Sequence, residues 1–384
     1  MTGILMLFVI ILLSIAVWQL IKIFDLTQID QSVEDSQVAT EYDNKVNGYL
    51  MFAFLGFIYI FTIYSLYKWG PLVLGKPASE HGPEYDTLMA ISMWLIFIVQ
   101  TVTQALLHYF AFKYRGRKNQ KALYFSDNNK LEFIWSSIPA IVLAVLIFYG
   151  LYAWTDIMFV DEEEDVMVVE LYAKQFGWEV RYSGKDNVLG KANVRYIEGT
   201  NTLGVDMSDP NAQDDIVASE LHLPKGKRVM FKIRSQDVLH SAYMPHFRAQ
   251  MNCVPGMVTE FAFTPIFTTQ EMRDQPFMQE KVANINAIRT KKSVELVAKG
   301  ETALDPYTFD YLLLCNKICG ASHYNMQMKI VVDTPEEYKK WVASKPTFKE
   351  ELKAATAAPA TDANAKESDT TTVPSDKMVA QVVK

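Results

Sequence analysis

The sequence predicts membrane-spanning α-helices followed by an all-β sandwich or barrel, and three features of the chain lead to this fold class. Four uncharged apolar runs lie within the first 155 residues. From about residue 166, short runs of alternating polar and apolar residues, rich in β-branched and aromatic side chains, are separated by turn residues. Two of the three cysteines lie only four positions apart, in a loop of this second region.

The four apolar runs predict four membrane helices. They cover 1–21, 46–67, 87–112 and 133–155, and none contains Lys, Arg, Asp or Glu. Each reaches the roughly 20 residues that a helix needs to cross about 30 Å of hydrocarbon. Because the first run begins without the basic residues of a signal peptide, we expect a retained anchor rather than a cleaved segment.

Basic residues between the third and fourth runs set the predicted orientation. From Lys113 to Lys130, this loop carries six Lys or Arg side chains and a single acidic one, Asp127. Cytoplasmic loops are the ones enriched in Lys and Arg. The β region that follows the fourth run is therefore expected on the outer face of the membrane.

The change of pattern along the chain predicts four units. An extra amino-terminal membrane segment with two helices covers 1–85, a transmembrane hairpin covers 86–160, the β domain covers 161–344, and a disordered tail covers 345–384. The tail is assigned from its Ala, Thr, Asp, Lys and Pro content, which leaves little to bury. The formal net charge of −7 gives no basic surface of the kind that binds nucleic acid, so no nucleic-acid partner is expected.

One loop concentrates the side chains that bind soft metals. It reads CNKICGASHYNM and supplies Cys315, Cys319, His323 and Met326. Sulfur ligands favour copper(I), zinc or iron–sulfur, whereas a single blue-copper site needs only one Cys with two His and a weak Met. The second cysteine therefore suggests two metal ions that share two sulfurs.

The second imidazole must come from elsewhere in the chain, and His240 is the best candidate. It follows the β-like run RVMFKIR, so the end of a strand could bring it to the cysteine loop. The histidines at 222 and 246 are expected to be ordinary surface or core residues.

These residues resemble subunit II of the haem–copper cytochrome c oxidases, in which the membrane helices precede a cupredoxin-like domain. The cysteine loop matches the family pattern C-x-E-x-C-x-x-x-H-x-x-M at every ligand spacing. Three further family motifs are similar, and they stand in family order within a resemblance that runs from about 87 to 333: LEFIWSSIPA at 131–140, SQDVLHS at 235–241 and NCVPG at 252–256.

The resemblance implies a binuclear copper centre, called copper A, with two ions. Cys315 and Cys319 would bridge the ions, His240 and His323 would each bind one ion, and Met326 would be a weak ligand of one of them.

The sixth ligand in the family is the backbone carbonyl of the glutamate between the cysteines, and this position is Lys317. Every residue has a backbone carbonyl, whatever its side chain. Copper binding is therefore compatible with lysine at this position. The family's glutamate side chain also reaches a magnesium ion at the interface with subunit I. Lysine has no acceptor oxygen, so we expect this magnesium site to be lost or rebuilt.

The resemblance also suggests where electrons and protons move. The segment QFGW at 175–178 stands where the family has Q-W-x-W. Electrons would therefore enter through Phe176 or a neighbouring aromatic such as Trp178, although Trp178 also suits the domain core. Glu132 lies where the family has a glutamate at the entrance of a proton channel of subunit I, and it equally suits a helix amino terminus.

The implied function is that of subunit II of a respiratory cytochrome c oxidase in a bacterial inner membrane, with the copper domain on the periplasmic side. Cytochrome c, or a cytochrome c domain, would donate electrons. They would pass to haem in subunit I, where oxygen reduction to water is coupled to proton pumping.

No C-x-x-C-H motif for covalent haem occurs in this chain, so the donor must be separate. Asp237 resembles a family acid that serves either docking or support of the site.

Three alternatives stay open at this point. A membrane-anchored single-copper carrier would need only one of the cysteines. A quinol oxidase subunit II shares the architecture but lacks these ligands. A structural zinc site could use Cys315, Cys319, His323 and His240. The chain also departs from the family in its two extra amino-terminal helices and in an insertion near 267–310, which is expected to be partly helical.

Overall fold

The computed structural model describes residues 2–27, 40–70, 73, 75–117, 120–121, 123–124, 126–160 and 165–357. These residues form two compact units. The first lies within Met1–Pro71 and Met93–Ser136, and the second lies within Leu72–Ser92 and Ser137–Lys384. The candidate metal ligands all belong to the second unit.

Four long helices open the chain: α1 (Thr2–Thr27), α2 (Glu41–Trp69), α3 (Gly82–Lys113) and α4 (Asn129–Met158). Among the described residues, α2, α3 and the part of α4 up to Thr155 are long and apolar enough to cross a membrane. The described apolar part of α1, Val9–Ile23, is shorter than a full span. The predicted helical positions therefore hold for all four runs, and three of them qualify as complete spans.

Local chemistry explains where the membrane helices begin. Thr40 and Asp43 form a reciprocal capping box at the start of α2, which satisfies amide groups that a helix end leaves unpaired. The Asn128 side chain accepts a hydrogen bond from the Leu131 amide at 3.0 Å and so caps α4. Large apolar side chains such as Phe148 lie exposed along α4, as expected of a surface that faces lipid.

The second unit contains a sandwich of two five-stranded sheets. Their orders are β3-β2-β1-β5-β8 and β4-β10-β9-β6-β7. Within them, β1 with β5 and β4 with β10 pair in parallel, and the other neighbours pair in antiparallel fashion. The strands are β1 (Met167–Lys174), β2 (Gly177–Tyr182), β3 (Ile216–Ala218), β4 (Leu221–Pro224), β5 (Val229–Ser235), β6 (His240–Met244), β7 (Ala249–Cys253), β8 (Thr259–Phe263), β9 (Tyr311–Cys315) and β10 (Gln327–Asp333).

Alternating side chains build the core between the two sheets. In β5, Val229, Phe231 and Ile233 are fully buried, while the residues between them are less so. Tyr311 and Leu313 of β9 enter the same core from the other sheet. Burying an aliphatic or aromatic side chain of this size stabilises a fold by about 1.5–3 kcal/mol, so this core fixes the strands that carry the candidate ligands.

The predicted insertion near 267–310 contains two helices, α5 (Thr269–Arg273) and α6 (Pro276–Val297). Thr268 and Glu271 form a capping box that starts α5. Met272 and Met278 enter the main core, and Arg273 donates a hydrogen bond to the Phe309 carbonyl at 2.8 Å. The start of the insertion is therefore packed on the sandwich, whereas apolar side chains in the second half of α6, such as Ile288 and Val294, are exposed.

The structure differs from the predicted disordered tail over 345–357. Two helices close the described chain, α7 (Pro335–Ala343) and α8 (Phe348–Ala357). Phe348 is buried in a small cluster with Tyr172, and its amide donates to the Asp215 carbonyl at 2.7 Å. The polar composition of this segment gives no indication of its buried aromatic residue, Phe348. The rest of the predicted tail, 358–384, lies outside the described residues.

Candidate metal centre

Strand register brings the distant histidine to the cysteine loop. His240 begins β6, an interior strand whose neighbours are β7 and β9. Ala242 pairs with Cys315, the last residue of β9. Residues two apart on a strand share a face, so His240 and Cys315 lie on the same face of the sheet. Their Nδ1 and Sγ atoms are 3.8 Å apart.

Hydrogen bonds of the main chain hold the loop that follows Cys315. The Cys315 amide donates to the Met326 carbonyl, and the Asn316 amide donates to the Ser241 carbonyl, each at 3.1 Å. These bonds tie both ends of the loop to the sheet. The loop therefore returns to the position where β10 begins.

The predicted ligand groups form one chain of close contacts. The Sγ atoms of the two cysteines are 3.9 Å apart. From Cys319 Sγ, His323 Nδ1 lies 3.6 Å away and Met326 Sδ lies 3.8 Å away. The Lys317 carbonyl oxygen lies 3.2 Å from Cys315 Sγ.

This arrangement fits metal ions shared between sulfurs. Metal–sulfur bonds are about 2.3 Å long, so two sulfurs at 3.9 Å can bind the same ion. The ligand atoms of His240, Cys315 and Cys319 all lie within 4.8 Å of one another. Among the described residues, this is the one group of three or more His, Cys, Asp or Glu side chains with such spacing.

The cluster is shielded from solvent. His240, Cys319 and Met326 are buried, while Cys315 and His323 are half-buried. Burial, together with the neighbouring Cys315 sulfur, raises the pKa of the Cys319 thiol to about 11. A metal ion that binds this sulfur must therefore displace a proton.

A carboxylate supports the histidine from behind. Asp237 Oδ1 accepts a hydrogen bond from His240 Nε2 at 2.8 Å. Burial opposes ionisation of Asp237, but hydrogen bonds from His240, Gln175 and Val238 outweigh it and hold the pKa of the carboxyl below its ordinary value. The part played by Gln175 was not predicted, because no sequence spacing indicates that the β1–β2 turn meets the cysteine loop.

The two predicted aromatic residues occupy different environments. Phe176 lies in the β1–β2 turn, is 39% exposed, and its ring lies against Gly320 of the cysteine loop. Trp178 is only 6% exposed, and its ring centroid lies 6.5 Å from that of His240. Phe176 is thus the one that reaches the surface.

The remaining predicted site residues lie outside the cluster or at its edge. Glu132 is in the first turn of α4, in the first unit of the structure, and is exposed. The Lys317 side chain is also exposed, although its carbonyl faces the cluster. Cys253 is buried opposite His240 in the β6–β7 pair, and burial raises the pKa of its thiol to about 12.

Two other histidines are held by structural contacts, as the sequence predicts. His222 stacks on Trp341 at 4.2 Å between ring centroids and hydrogen-bonds with Asp333 at 2.7 Å. His246 packs against Phe309, and burial lowers the pKa of its imidazole to about 4. Neither histidine belongs to the metal cluster.

Membrane helices followed by a two-sheet sandwich, with a loop that gathers cysteine, histidine and methionine, define a membrane-anchored protein of the cupredoxin-like class. Residues 67–152 match the family model for the transmembrane domain of cytochrome c oxidase subunit II. The alternative cytochrome c oxidase subunit 2 of Bradyrhizobium diazoefficiens is 33% identical over 291 residues, which cover 75% of this chain and 88% of the relative. The chain therefore belongs to the cytochrome c oxidase subunit II family and is a component of an oxidoreductase complex.

A second curated relative and two solved structures are also similar to this chain. Cytochrome c oxidase subunit 2 of Thermostichus vulcanus is 24% identical over 301 residues, covering 70% of this chain and 77% of the relative. The periplasmic domain of subunit II of cytochrome oxidase from Bradyrhizobium japonicum is similar with a TM-score of 0.27 and 19% identity, covering 46% of this chain and 91% of that one. A chain of a haem–copper terminal oxidase dimer matches with a TM-score of 0.28 and 16% identity, covering 53% and 98%. The relative with 33% identity confirms the predicted family, and the described helices and two-sheet sandwich confirm the predicted fold class.

Proposed function

We propose that this chain accepts single electrons at a binuclear copper centre and passes them to haem in subunit I of the same oxidase. Oxygen is reduced to water in subunit I, and that reaction is coupled to proton pumping. The observation that supports this proposal is the convergence of two cysteines, two histidines, a methionine and a backbone carbonyl on one shielded cluster.

In this proposal the ligands are His240, Cys315, Cys319, His323 and Met326, with the Lys317 carbonyl as the sixth. When bound, the two copper ions supply a centre that gains and loses one electron. The protein's part is to keep the ligands fixed while that charge changes. Three ligands, His240, Cys315 and Met326, are on or next to strands of the β4-β10-β9-β6-β7 sheet, and hydrogen bonds tie the loop at both ends. The apolar surroundings exclude water, which tunes the potential of a metal site.

We propose that the donor is cytochrome c or a cytochrome c domain and that it binds over the cysteine loop. Large exposed apolar side chains that cluster on a surface mark interaction sites. Several such side chains are direct chain neighbours of the ligands, and Ile318 is 88% exposed. The group also includes Phe176, Val238, Leu239 and Tyr324. Phe176 is the proposed point where electrons enter, since its ring touches the cysteine loop at Gly320.

The proposed setting is the bacterial inner membrane, with the copper domain on the periplasmic side. The basic loop between α3 and α4 supports this orientation through the enrichment of Lys and Arg on cytoplasmic sides. The extra helices α1 and α2 would contact further subunits of the oxidase. Glu132, at the cytoplasmic end of α4, would line the entrance of the proton channel of subunit I. Slower proton uptake with unchanged copper reduction in Glu132→Ala would support this role, and unchanged proton uptake would refute it.

The magnesium ion of the family does not fit this chain. The side chain at the position of the family's ligand is Lys317, which is exposed and carries a positive charge. An ammonium group has no lone pair to offer a hard cation. We therefore propose a complex without magnesium at this position, or with a site built from other groups.

Metal analysis of the full-length chain, purified in detergent without the other subunits and loaded with metal, tests the copper proposal. We expect two copper ions per chain and a coloured, paramagnetic mixed-valence signal. Cys319→Ser should lose the signal, whereas Cys253→Ala, which removes the other buried thiol, should keep both ions. A single copper ion would favour the single-copper carrier. One colourless zinc ion would favour a structural Cys₂His₂ site.

A further inference from the structure

A cavity of about 450 Å³ lies where the ends of two membrane helices meet strand β8 of the sandwich. Glu84, in the first turn of α3, and Ile157, in the last turn of α4, belong to its wall, and Phe263 of β8 lines it from the sandwich. Tyr85 and Trp154, close to these residues in sequence, are exposed. Tyr and Trp side chains are enriched where a membrane meets water, so the cavity lies at the level of the lipid headgroups.

One histidine of the wall has a ring nitrogen without a partner. His81 directly precedes α3, and its Nε2 atom is buried with no hydrogen-bond partner in the described part of the chain. Burial, together with Arg228 and Arg248 nearby, lowers the pKa of the imidazole, so the neutral form predominates at pH 7. A hydrogen bond with the Arg248 main chain acts against this shift. Because that bond uses the other ring nitrogen, Nε2 keeps a lone pair that can accept a hydrogen bond.

Two carboxylates and a guanidinium group line the same cavity. Glu80 is exposed and Glu84 is half-buried. Main-chain hydrogen bonds fix their positions, because the Glu80 amide donates to the Thr264 carbonyl at 3.0 Å and the Glu84 amide donates to the His81 carbonyl at 3.2 Å. Arg228 adds a positive charge beside the last turn of α4. The wall therefore combines several acceptors on one part with a cation on another.

These charges select the kind of ligand. Glu80, His81 and Glu84 lack the close mutual spacing of a metal-binding group, which among the described residues belongs to the copper ligands alone. A primary ammonium group carries three N–H donors, one for each of these acceptors. A phosphate group pairs well with the guanidinium of arginine. A ligand with an ammonium and a phosphate close together therefore matches the wall.

We infer that this cavity binds the headgroup of an ethanolamine phospholipid. The ammonium group donates hydrogen bonds to Glu80, Glu84 and His81 Nε2, and the phosphate faces Arg228. The acyl chains run along the exposed apolar surface of the membrane helices. The bound lipid thereby joins the ends of α3 and α4 to the sandwich that carries the metal cluster.

The test compares three phospholipids with the same acyl chains and an ethanolamine, choline or glycerol headgroup. Each is offered to the full-length chain in detergent, and bound lipid is measured by native mass spectrometry. Choline has no N–H donor, and glycerol has no cation. We expect one ethanolamine phospholipid per chain, bound about 10-fold or more tightly than either other lipid, because charged hydrogen bonds are lost with those headgroups. Free phosphoethanolamine at equal concentration should not displace the lipid, because it has no acyl chains.

Two variants test the acceptors. Glu84→Gln removes one negative charge at nearly constant size, and His81→Phe keeps a ring but removes the Nε2 acceptor. Each should weaken binding of the ethanolamine lipid about 10-fold and leave binding of the choline lipid unchanged. The matched control is Glu336→Gln, because Glu336 also lies in the first turn of a helix, α7, but outside the cavity. It should bind all three lipids as wild type does. Copper content should not change in any variant, because the cavity shares no residue with the metal cluster.

Equal binding of the three lipids by wild type would overturn the inference, and so would a wild-type preference that persists in both Glu84→Gln and His81→Phe. Tightest binding of the glycerol lipid would refute it in favour of a simple anion site. Displacement by free phosphoethanolamine would refute the lipid in favour of a soluble ligand with the same two charged groups.

Discussion

Replacing Gly320 with Ala tests whether copper binding needs the backbone conformation of the cysteine loop. Gly320 has φ +145°, which residues with a Cβ rarely adopt. A Cβ here would lie 2.8 Å from Phe176 Cε1, 2.9 Å from its Cζ and 3.0 Å from Gln175 Nε2. The substitution therefore adds backbone strain and a close contact at once.

The size of the effect on copper affinity depends on whether the close contact and the backbone strain can relax. The Phe176 ring lies at the surface and can rotate away, so the contact costs little. The backbone strain cannot relax without moving the loop, and such strain costs about 1–3 kcal/mol. If that cost falls on the loop conformation that binds copper, affinity drops about 5- to 150-fold, since 1.4 kcal/mol corresponds to a factor of about ten.

A competition titration of the full-length chain against a copper(I) chelator measures this change, and thermal unfolding measures stability alongside it. Gly226→Ala is the matched control, because Gly226 has φ +77° but no atom lies within 4 Å of the position that a Cβ would take there. It should lower Tm and leave copper affinity unchanged. Wild-type copper affinity in Gly320→Ala, beside a lowered Tm in Gly226→Ala, would refute the reasoning.

Three further outcomes are expected. Phe176→Ala should slow turnover with the native donor while folding and copper content stay unchanged, and steady-state kinetics with circular dichroism check this. Lys317→Glu should restore a carboxylate that binds magnesium, so metal analysis of the purified complex should find more magnesium than in wild type; equal content would contradict our account of this position. Arg181→Met should destabilise the domain by about 3–5 kcal/mol, measured by denaturant unfolding. The reason is that the buried Glu170 and Asp215 carboxylates, each 2.6 Å from Arg181, lose the partner that they share.

Local spacing and strand pattern account for the parts of the structure that the sequence could predict. Cys315, Cys319, His323 and Met326 lie within one short loop, so their proximity follows from chain connectivity. The role of His240 could be predicted because a β-like run ends shortly before it. The strand register then places His240 beside Cys315. The ligand roles of these residues stay predictions until copper is measured.

Contacts between distant segments could not be predicted in the same way. The hydrogen bond from Gln175 to Cys319 joins residues 144 positions apart, and no periodicity in either segment points to the other. Helix α8 was missed because composition averages over a window, whereas two side chains, Phe348 and Leu352, pack this helix against the cluster that contains Tyr172. Two apolar side chains among polar ones give only a weak pattern, but a buried aromatic residue such as Phe348 still contributes a large apolar area.

The position of α8 determines where the copper domain can be cut for study on its own. Tyr172 belongs to the cluster around Phe348, while its neighbours Leu171 and Ala173 belong to the core between the sheets, so β1 is covered on both sides. A soluble fragment that stopped at 344 would remove Phe348 from this cluster and expose the apolar side chains that it covers. Fragments meant for crystallisation or spectroscopy should therefore extend through 357.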